Sequence, residues 1–513
     1  MKERKDRLQI VQNIVFATYA FIVLSISSVI ACSSGHYSGI LLFLAGLLIC
    51  IFTPKIGLFI RNFNCTPPTN VSLIKTFIVF FLLAFGILLL WFTGVSPGSF
   101  SPDSINQYTQ AIQGKYSDWH PVLHTLLFFT LPLKTTNCIE SIVIFQIICF
   151  SVVFGYMETI LYEYGGRAFA TISAAFILSS PFTLNIVMYP WKDVPFAVIC
   201  AVCLLYSARI YFSDGEWIKR KTNFFLMALM LASASILRHN GILFSIPLLA
   251  ALYFLLPKRA FFLLALTSCL IVGAVKVPLY SYLDVSKPGK RVTETMGLPL
   301  SVILNVAKEC SECLDNQTSI FVKKITSAQP NWKETYNINM GFNSIKYNGI
   351  NFSLIEKTGR LTITKMALQS VLSAPKQTIL SFIGLTNIVF GINGTAQINQ
   401  SIEPNKFGIN WNGNNHIKSF QSNYKILIQK SLLTYILCSV GFPIFMIISF
   451  IIFKFNHNLQ NRMRIALCTP LLIYSFGTML FLSGNDVRFF YLTHLTAPVA
   501  ILLLSANKKE SFI

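Results

Sequence analysis

Residues 96–124, SPGSFSPDSINQYTQAIQGKYSDWHPVLH, gather Asp103, Gln107, Gln110, Asp118, Trp119, His120 and His124 within a few turns of one another. Carboxylates and imidazoles at such spacing are the side chains that take up protons, orient hydroxyl groups or ligate a metal. His120 and His124 are four residues apart, which puts both on one face if the stretch is helical. Asp118 also has a plainer reading, because Asp ahead of Trp119-His120-Pro121 suits a helix start, a capping carboxylate with Pro near the first turn.

The complementary sign lies far away in sequence. Lys192 falls in Pro190-Trp191-Lys192-Asp193, Arg238 in Arg238-His239-Asn240, and Arg488 in Asn485-Asp486-Val487-Arg488. Each sits at the end of an apolar run, where a lone basic residue commonly snorkels to lipid headgroups. Cations that converge on one site would instead bind phosphate.

The elements that carry these residues follow from composition. With 54% hydrophobic and 12% charged residues, a mean hydropathy of +0.60 and repeated long apolar runs, the chain satisfies its backbone as helices in a bilayer. The expected fold class is an all-α polytopic membrane protein. Twelve spans are expected, near 10–31, 38–54, 72–94, 138–160, 167–188, 193–212, 222–237, 241–257, 260–281, 430–453, 464–483 and 489–506. Lys2, Arg4, Lys5 and Arg7 put the N-terminus in the cytoplasm, and every second loop is then basic, ending at Lys508 and Lys509. Both termini are therefore expected inside a plasma membrane. Residues 96–137, the 190–193 turn, the 238–240 turn, 282–429 and 485–488 are all expected outside. The net charge of +21 sits mainly at span ends and in one loop, which favours membrane lipid and phosphate-bearing substrates as partners over nucleic acid.

The domain plan is a three-span segment (1–95), a first external loop with interfacial helices (96–137), core spans (138–281), an extracytoplasmic domain (282–429) and a C-terminal three-span segment (430–513). The 282–429 region is too long for an unstructured loop and too aromatic for a linker, so a mixed α/β domain with net positive charge is expected there. Within it, 379–391 is short for a span and reads as interfacial or re-entrant. Most of the 12 cysteines lie in or beside apolar runs; Cys310 and Cys313 form a CxxC pair that suits either a tight disulfide or half a metal site.

The string SPDSINQY, followed by the His-Pro-led DWHPVLHTLLFF, resembles the first external loop of GT-C membrane glycosyltransferases. LRHNGILFSIPLL, and Arg488-Phe489-Phe490-Tyr491 ahead of a last span with Pro498, are similar to features of the same superfamily. YSDWHP is also similar to bacterial multi-span proteins of this kind. The resemblance implies transfer of a sugar from a polyprenyl-phosphate-linked donor to a glycan, lipid or protein acceptor on the outer face. It implies that Asp103, with Asp118 and His120, carries the chemistry and that Lys192, Arg238 and Arg488 hold the donor phosphate. Gln107, Trp119, His124 and His239 would position substrate. Ser104 follows Asp103 where some members carry a second acid, so no metal or other cofactor is expected. Two other functions fit the sequence: a polymerase or ligase using diphosphate-linked oligosaccharide, and a twelve-span transporter. A transporter would place its charges near the bilayer midplane and show two related halves.

Overall fold

A computed structural model describes residues 2–33, 38–66, 68, 72–287, 292–456 and 458–506. Lys508 and Lys509, expected at a cytoplasmic C-terminus, lie outside these residues, as do the side chains of Lys2, Arg4 and Lys5. Apolar runs become helices that stop at Gly, Pro or polar turns. The principal ones are α1 (Lys2–Ser33), α2 (Ser38–Asn62), α3 (Leu73–Val95), α4 (Pro102–Gln113), α5 (122–136, with a π turn at Leu126–Thr130) and α6 (Glu140–Gly165). There follow α7 (Arg167–Leu178), α8 (Asp193–Phe212), α9 (Lys221–Leu237) and α10 (Ile242–Tyr253), then α11 (Lys258–Tyr282). The remainder are α12 (Gly297–Glu309), α13 (Asn316–Ile325), α14 (Arg360–Ser373), α15 (Pro375–Phe390), α16 (Asn415–Lys430), α17 (Gly441–Lys454), α18 (Leu459–Met479) and α19 (Tyr491–Ser505).

Seven of the described helices are long and apolar enough to cross a membrane: α1, α2, α3, α6, α8, α11 and α19 with its lead-in from Val487. The other expected spans are shorter or less apolar. The run expected at 167–188 breaks at Ser180-Pro181, where the Ser180 side chain caps a new short helix with Pro at its first position. The run expected at 430–453 is helical over most of its length only from Gly441.

Helices α8 and α19 form the centre of the bundle and bury four-fifths of their length. They pack on each other, and α6, α9, α17 and α18 pack around them. The peripheral helices turn apolar side chains outward, with Ile74 of α3 and Leu270 and Val277 of α11 each well over half exposed. A rim of that kind would drive aggregation in water and suits contact with acyl chains.

The mixed α/β domain expected at 282–429 is corrected: among the described residues it has helices and 3-10 turns and no strand, only isolated bridges such as Phe100 to Ile402. The reason is periodicity. Leu300, Ile303, Leu304 and Ala307 recur at helical spacing and close a local core with Ile325, Phe342 and Ile363. Cys310 and Cys313 form a disulfide.

Between α15 and α16 the chain runs without regular structure from 391 to 414 as a strap across the 96–101 segment and the 185–191 turn. Phe100 N–H donates to the Ser401 carbonyl (2.9 Å), and Glu403 N–H donates to the Phe100 carbonyl (2.8 Å). Asn185 donates to the Ile398 carbonyl (3.0 Å) and accepts from Trp91 (3.1 Å).

The turn bearing Arg238 depends on close backbone approach: a Cβ at Gly241 would run into the Ala234 carbonyl and crowd the Phe196 ring. Gly241→Ala should therefore cost about 1–3 kcal/mol through overpacking. Thermal unfolding of the detergent-solubilised protein, followed by circular dichroism, would register this as a lower melting temperature.

Candidate functional site

Asp103 occupies the first turn of α4, and local sequence dictates why. Ser101 caps the helix, its hydroxyl accepting from Ser104 N–H (3.3 Å), Pro102 takes the first position, and Gly114 closes the other end with a left-handed backbone (φ 66°). A carboxylate at that place also faces the positive end of the helix dipole. From there Asp103 Oδ2 accepts from Arg488 Nη1 at 3.0 Å, across 385 positions of sequence. Arg488 is held on its other side by Asp486, whose Oδ2 accepts from Nε at 2.7 Å. Asp486 also caps the 3-10 turn Val487–Phe490, so the chain that leads into α19 presents the arginine in a fixed direction.

The guanidinium lies over the Trp191 ring, 4.9 Å from its centroid. Trp191 is fixed in turn: its indole N–H donates to Ser101 Oγ (2.7 Å), and Tyr189 stacks on it at 4.0 Å. Tyr189 OH donates to the Asn399 carbonyl of the strap (2.7 Å). The cap of α4, the 189–191 turn, Arg488 and the strap are thus one connected unit.

Next to Trp191, Lys192 precedes α8 and Asp193 begins it. Asp193 forms a buried ion pair with Arg238, which also lies over Phe489 at 4.5 Å. Lys192 makes no ion pair among the described residues, although it lies within electrostatic range of Asp103, Asp193, Arg238 and Arg488. Burial is the first cause that pulls the Lys192 ammonium below its ordinary value, Arg238 and Arg488 add to it, and Asp103 and Asp193 oppose them. Burial pushes the Asp103 carboxyl up, but Arg488, Lys192 and His120 outweigh it and hold it down at about 2.

The remaining predicted residues divide. His124 is fully buried and its Nδ1 lies 2.6 Å from Gln107 Oε1, which also accepts from Thr125 Oγ1 at 3.2 Å. His124 Nε2 has no hydrogen-bond partner among the described residues. Burial, then Lys192 and His120, hold this imidazole well below its ordinary value. His120 is buried within range of Asp103 and His124. It precedes the helix, which opens at Val122, so the shared helical face expected for the two histidines is corrected. Asp118 is not a cap either, since Pro121 holds that place. It binds Lys276 Nζ (3.1 Å) and accepts from Tyr280 OH (2.8 Å), which ties the loop to α11. His239 is exposed, with Nε2 3.2 Å from the Asp118 carbonyl, and Trp119 is exposed. A polar cleft of about 740 Å³ in the helical domain is lined by Lys308, Glu334, Asn337 and Lys376, none of them part of this cluster.

Sequence reasoning missed Asp193, Asp486, Trp191 and the strap as parts of the site. The only trace of the first three is that each adjoins, or lies two residues from, a cation already singled out.

This fold and cluster define an all-helical membrane protein with ionic side chains from four separate stretches brought together at helix ends. No family model, no curated protein and no solved structure matches the chain.

Asp193 and its neighbour Lys192 should behave oppositely on substitution. Asp193→Ala strands the buried Arg238 and should cost roughly 3–5 kcal/mol of stability. Lys192→Met removes a buried charge that has no ion pair among the described residues and should leave the melting temperature level or raised, as parallel thermal scans would register.

Asp103 has a pH signature. Its folded value lies below its ordinary 3.8, so its stabilisation is complete above that value and is lost as pH falls through about 2. Asp103→Asn should lower the melting temperature at neutral pH and be silent near pH 2; an equal decrement at both would contradict the ion pair.

Proposed function

We propose that the protein is a membrane glycosyltransferase that moves a sugar from a polyprenyl-phosphate-linked donor to a hydroxyl of a cell-envelope glycan, lipid or protein. The reading also takes the chain to cross the plasma membrane twelve times, with both termini cytoplasmic and the cluster on the outer face. One observation carries it: the Asp103–Arg488 ion pair stands beside Lys192, a cation with no counter-ion of its own among the described residues. A carboxylate that can accept from a hydroxyl, next to cations that can accept a phosphate, is what such a transfer requires. The positions of the charges also favour a surface enzyme over a carrier. Asp103, Lys192, Asp193, Arg238 and Arg488 all lie at helix ends, and none lies at the middle of a span.

In the reaction the acceptor oxygen bonds to the anomeric carbon as the bond from that carbon to the phosphate oxygen breaks. The electron pair leaves with the polyprenyl phosphate, where Lys192 and Arg488 offset the growing charge. The acceptor proton passes to Asp103 and on to solvent. Paired with Arg488, Asp103 is a weak base. A donor phosphate that draws Arg488 toward itself leaves the carboxylate less compensated, and its affinity for the proton rises. Donor binding thereby prepares acceptor activation. Arg238 is committed to Asp193 and acts as a fixed positive wall, not as a direct phosphate ligand. Gln107 and His124 set the floor of the site through their mutual hydrogen bond.

Purified protein in vesicles, supplied with polyprenyl-phosphate sugars and candidate acceptors, tests the reading by mass spectrometry of the products. Lys192→Met and Arg488→Lys should each lower transfer by about 10²–10³-fold, the scale of a lost electrostatic stabiliser. Asp103→Asn should lower it by about 10²–10⁴-fold. Transfer that survives all three substitutions undiminished would remove this cluster from the mechanism. Because the Lys192 ammonium is held below its ordinary value, donor binding should fall on the alkaline side at a lower pH than for an ordinary lysine. Titrating donor affinity against pH would check this.

A further inference from the structure

Helix α14 has two apolar faces. Ile363, Met366 and Ala367 turn inward onto the domain core. Leu361, Leu368 and Leu372 turn outward, 88%, 60% and 84% exposed. Spaced at i, i+7 and i+11, they form a single stripe along a helix about 21 Å long at 1.5 Å per residue. A stripe of large aliphatic side chains on the outside of a domain marks a surface that something covers.

Two observations identify the cover. The stripe does not end with α14. After Ala374 the chain turns into α15, whose first turns expose Ile379 and Leu380 (58% and 46%) and whose later turns pack on α1 and α17. Just beyond it, Ile392 N–H donates to Ser27 Oγ of α1 at 2.9 Å. The stripe therefore lies on the stretch of chain that joins the domain to the apolar helices α1 and α17. The charge on this stretch is also predominantly of one sign: between residues 356 and 380 lie Lys357, Arg360, Lys365 and Lys376 against the single acid Glu356, which lies within electrostatic range of Arg360.

We propose that α14 and the first turns of α15 form an in-plane membrane anchor, with the leucine stripe among the upper acyl carbons and the four cations against anionic lipid headgroups. This is the arrangement that an amphipathic helix with basic flanks adopts at a bilayer surface. The anchor holds the helical domain down on the lipid surface and fixes its height relative to the spanning helices. It does not depend on the transferase reading, because it needs only the domain's attachment to the bundle and the character of this surface.

The test is photocrosslinking from Leu368→benzoylphenylalanine in the full-length protein, reconstituted in vesicles of phosphatidylcholine and phosphatidylglycerol. Tyr347→benzoylphenylalanine, at a position 79% exposed elsewhere on the domain, serves as the control. Lipid adducts at 368 and not at 347 are the expected result. Adducts should be enriched in phosphatidylglycerol, and Lys365→Glu should cut that enrichment at least about fivefold, the equivalent of the ~1 kcal/mol that one basic residue contributes at an anionic surface. Chain-to-chain crosslinks at 368 would assign the stripe to a second copy and overturn the proposal. Lipid adducts no more frequent at 368 than at 347 would overturn it as well.

Discussion

The charge pair between Asp103 and Arg488 is the constraint on which this end of the helix bundle depends. Each member is anchored by its own local device, a Ser-capped helix start for the acid and an Asp-capped 3-10 turn for the base. Neither device has an evident purpose unless the two meet. A charge in an apolar bundle is costly without a partner, so the pairing fixes how the 96–124 segment sits on the last helix. The Asp193–Arg238 pair does the same one layer deeper, fixing the start of α8 against the end of α9.

Between these pairs the fold leaves Lys192 without an ion pair among the described residues. The four charges around it are of both signs, and they balance closely enough for a cation to persist there in partial burial. Under the proposed function, an arriving phosphate would displace no ion pair of Lys192 seen among the described residues, and it would compete with two carboxylates, Asp103 and Asp486, for Arg488. The Trp191 ring under the guanidinium restricts where Arg488 can move and shields it from water on one side.

The strap at 391–414 explains how so polar a cluster holds its shape with few regular elements around it. Its carbonyls accept hydrogen bonds from Phe100 N–H, Asn185 and Tyr189, and its amides donate to carbonyls of the 96–101 segment. It connects at one end to α15, which bears the proposed membrane anchor, and at the other to α16, whose Gln421 donates to the Trp91 carbonyl. The proposed anchor, the helical domain and the site geometry are thereby linked through one length of chain.

The membrane class and the helix content were legible in the sequence, because apolar runs of sufficient length admit no other backbone solution. So were Asp103, Lys192, Arg238 and Arg488 as charges that needed explaining. The helical structure of 292–390 was missed: the spacing of Leu300, Ile303, Leu304 and Ala307 carried it, but aromatic and Asn-rich composition pointed to a mixed domain. Only the tertiary structure decided the partners: that Arg488 meets Asp103 and Asp486, that Arg238 meets Asp193, and that Asp118 turns away to Lys276 and Tyr280. Charge pairing across hundreds of residues leaves no mark on local sequence, since any acid can serve any base. Which pairs form is settled by how the helices that carry them pack.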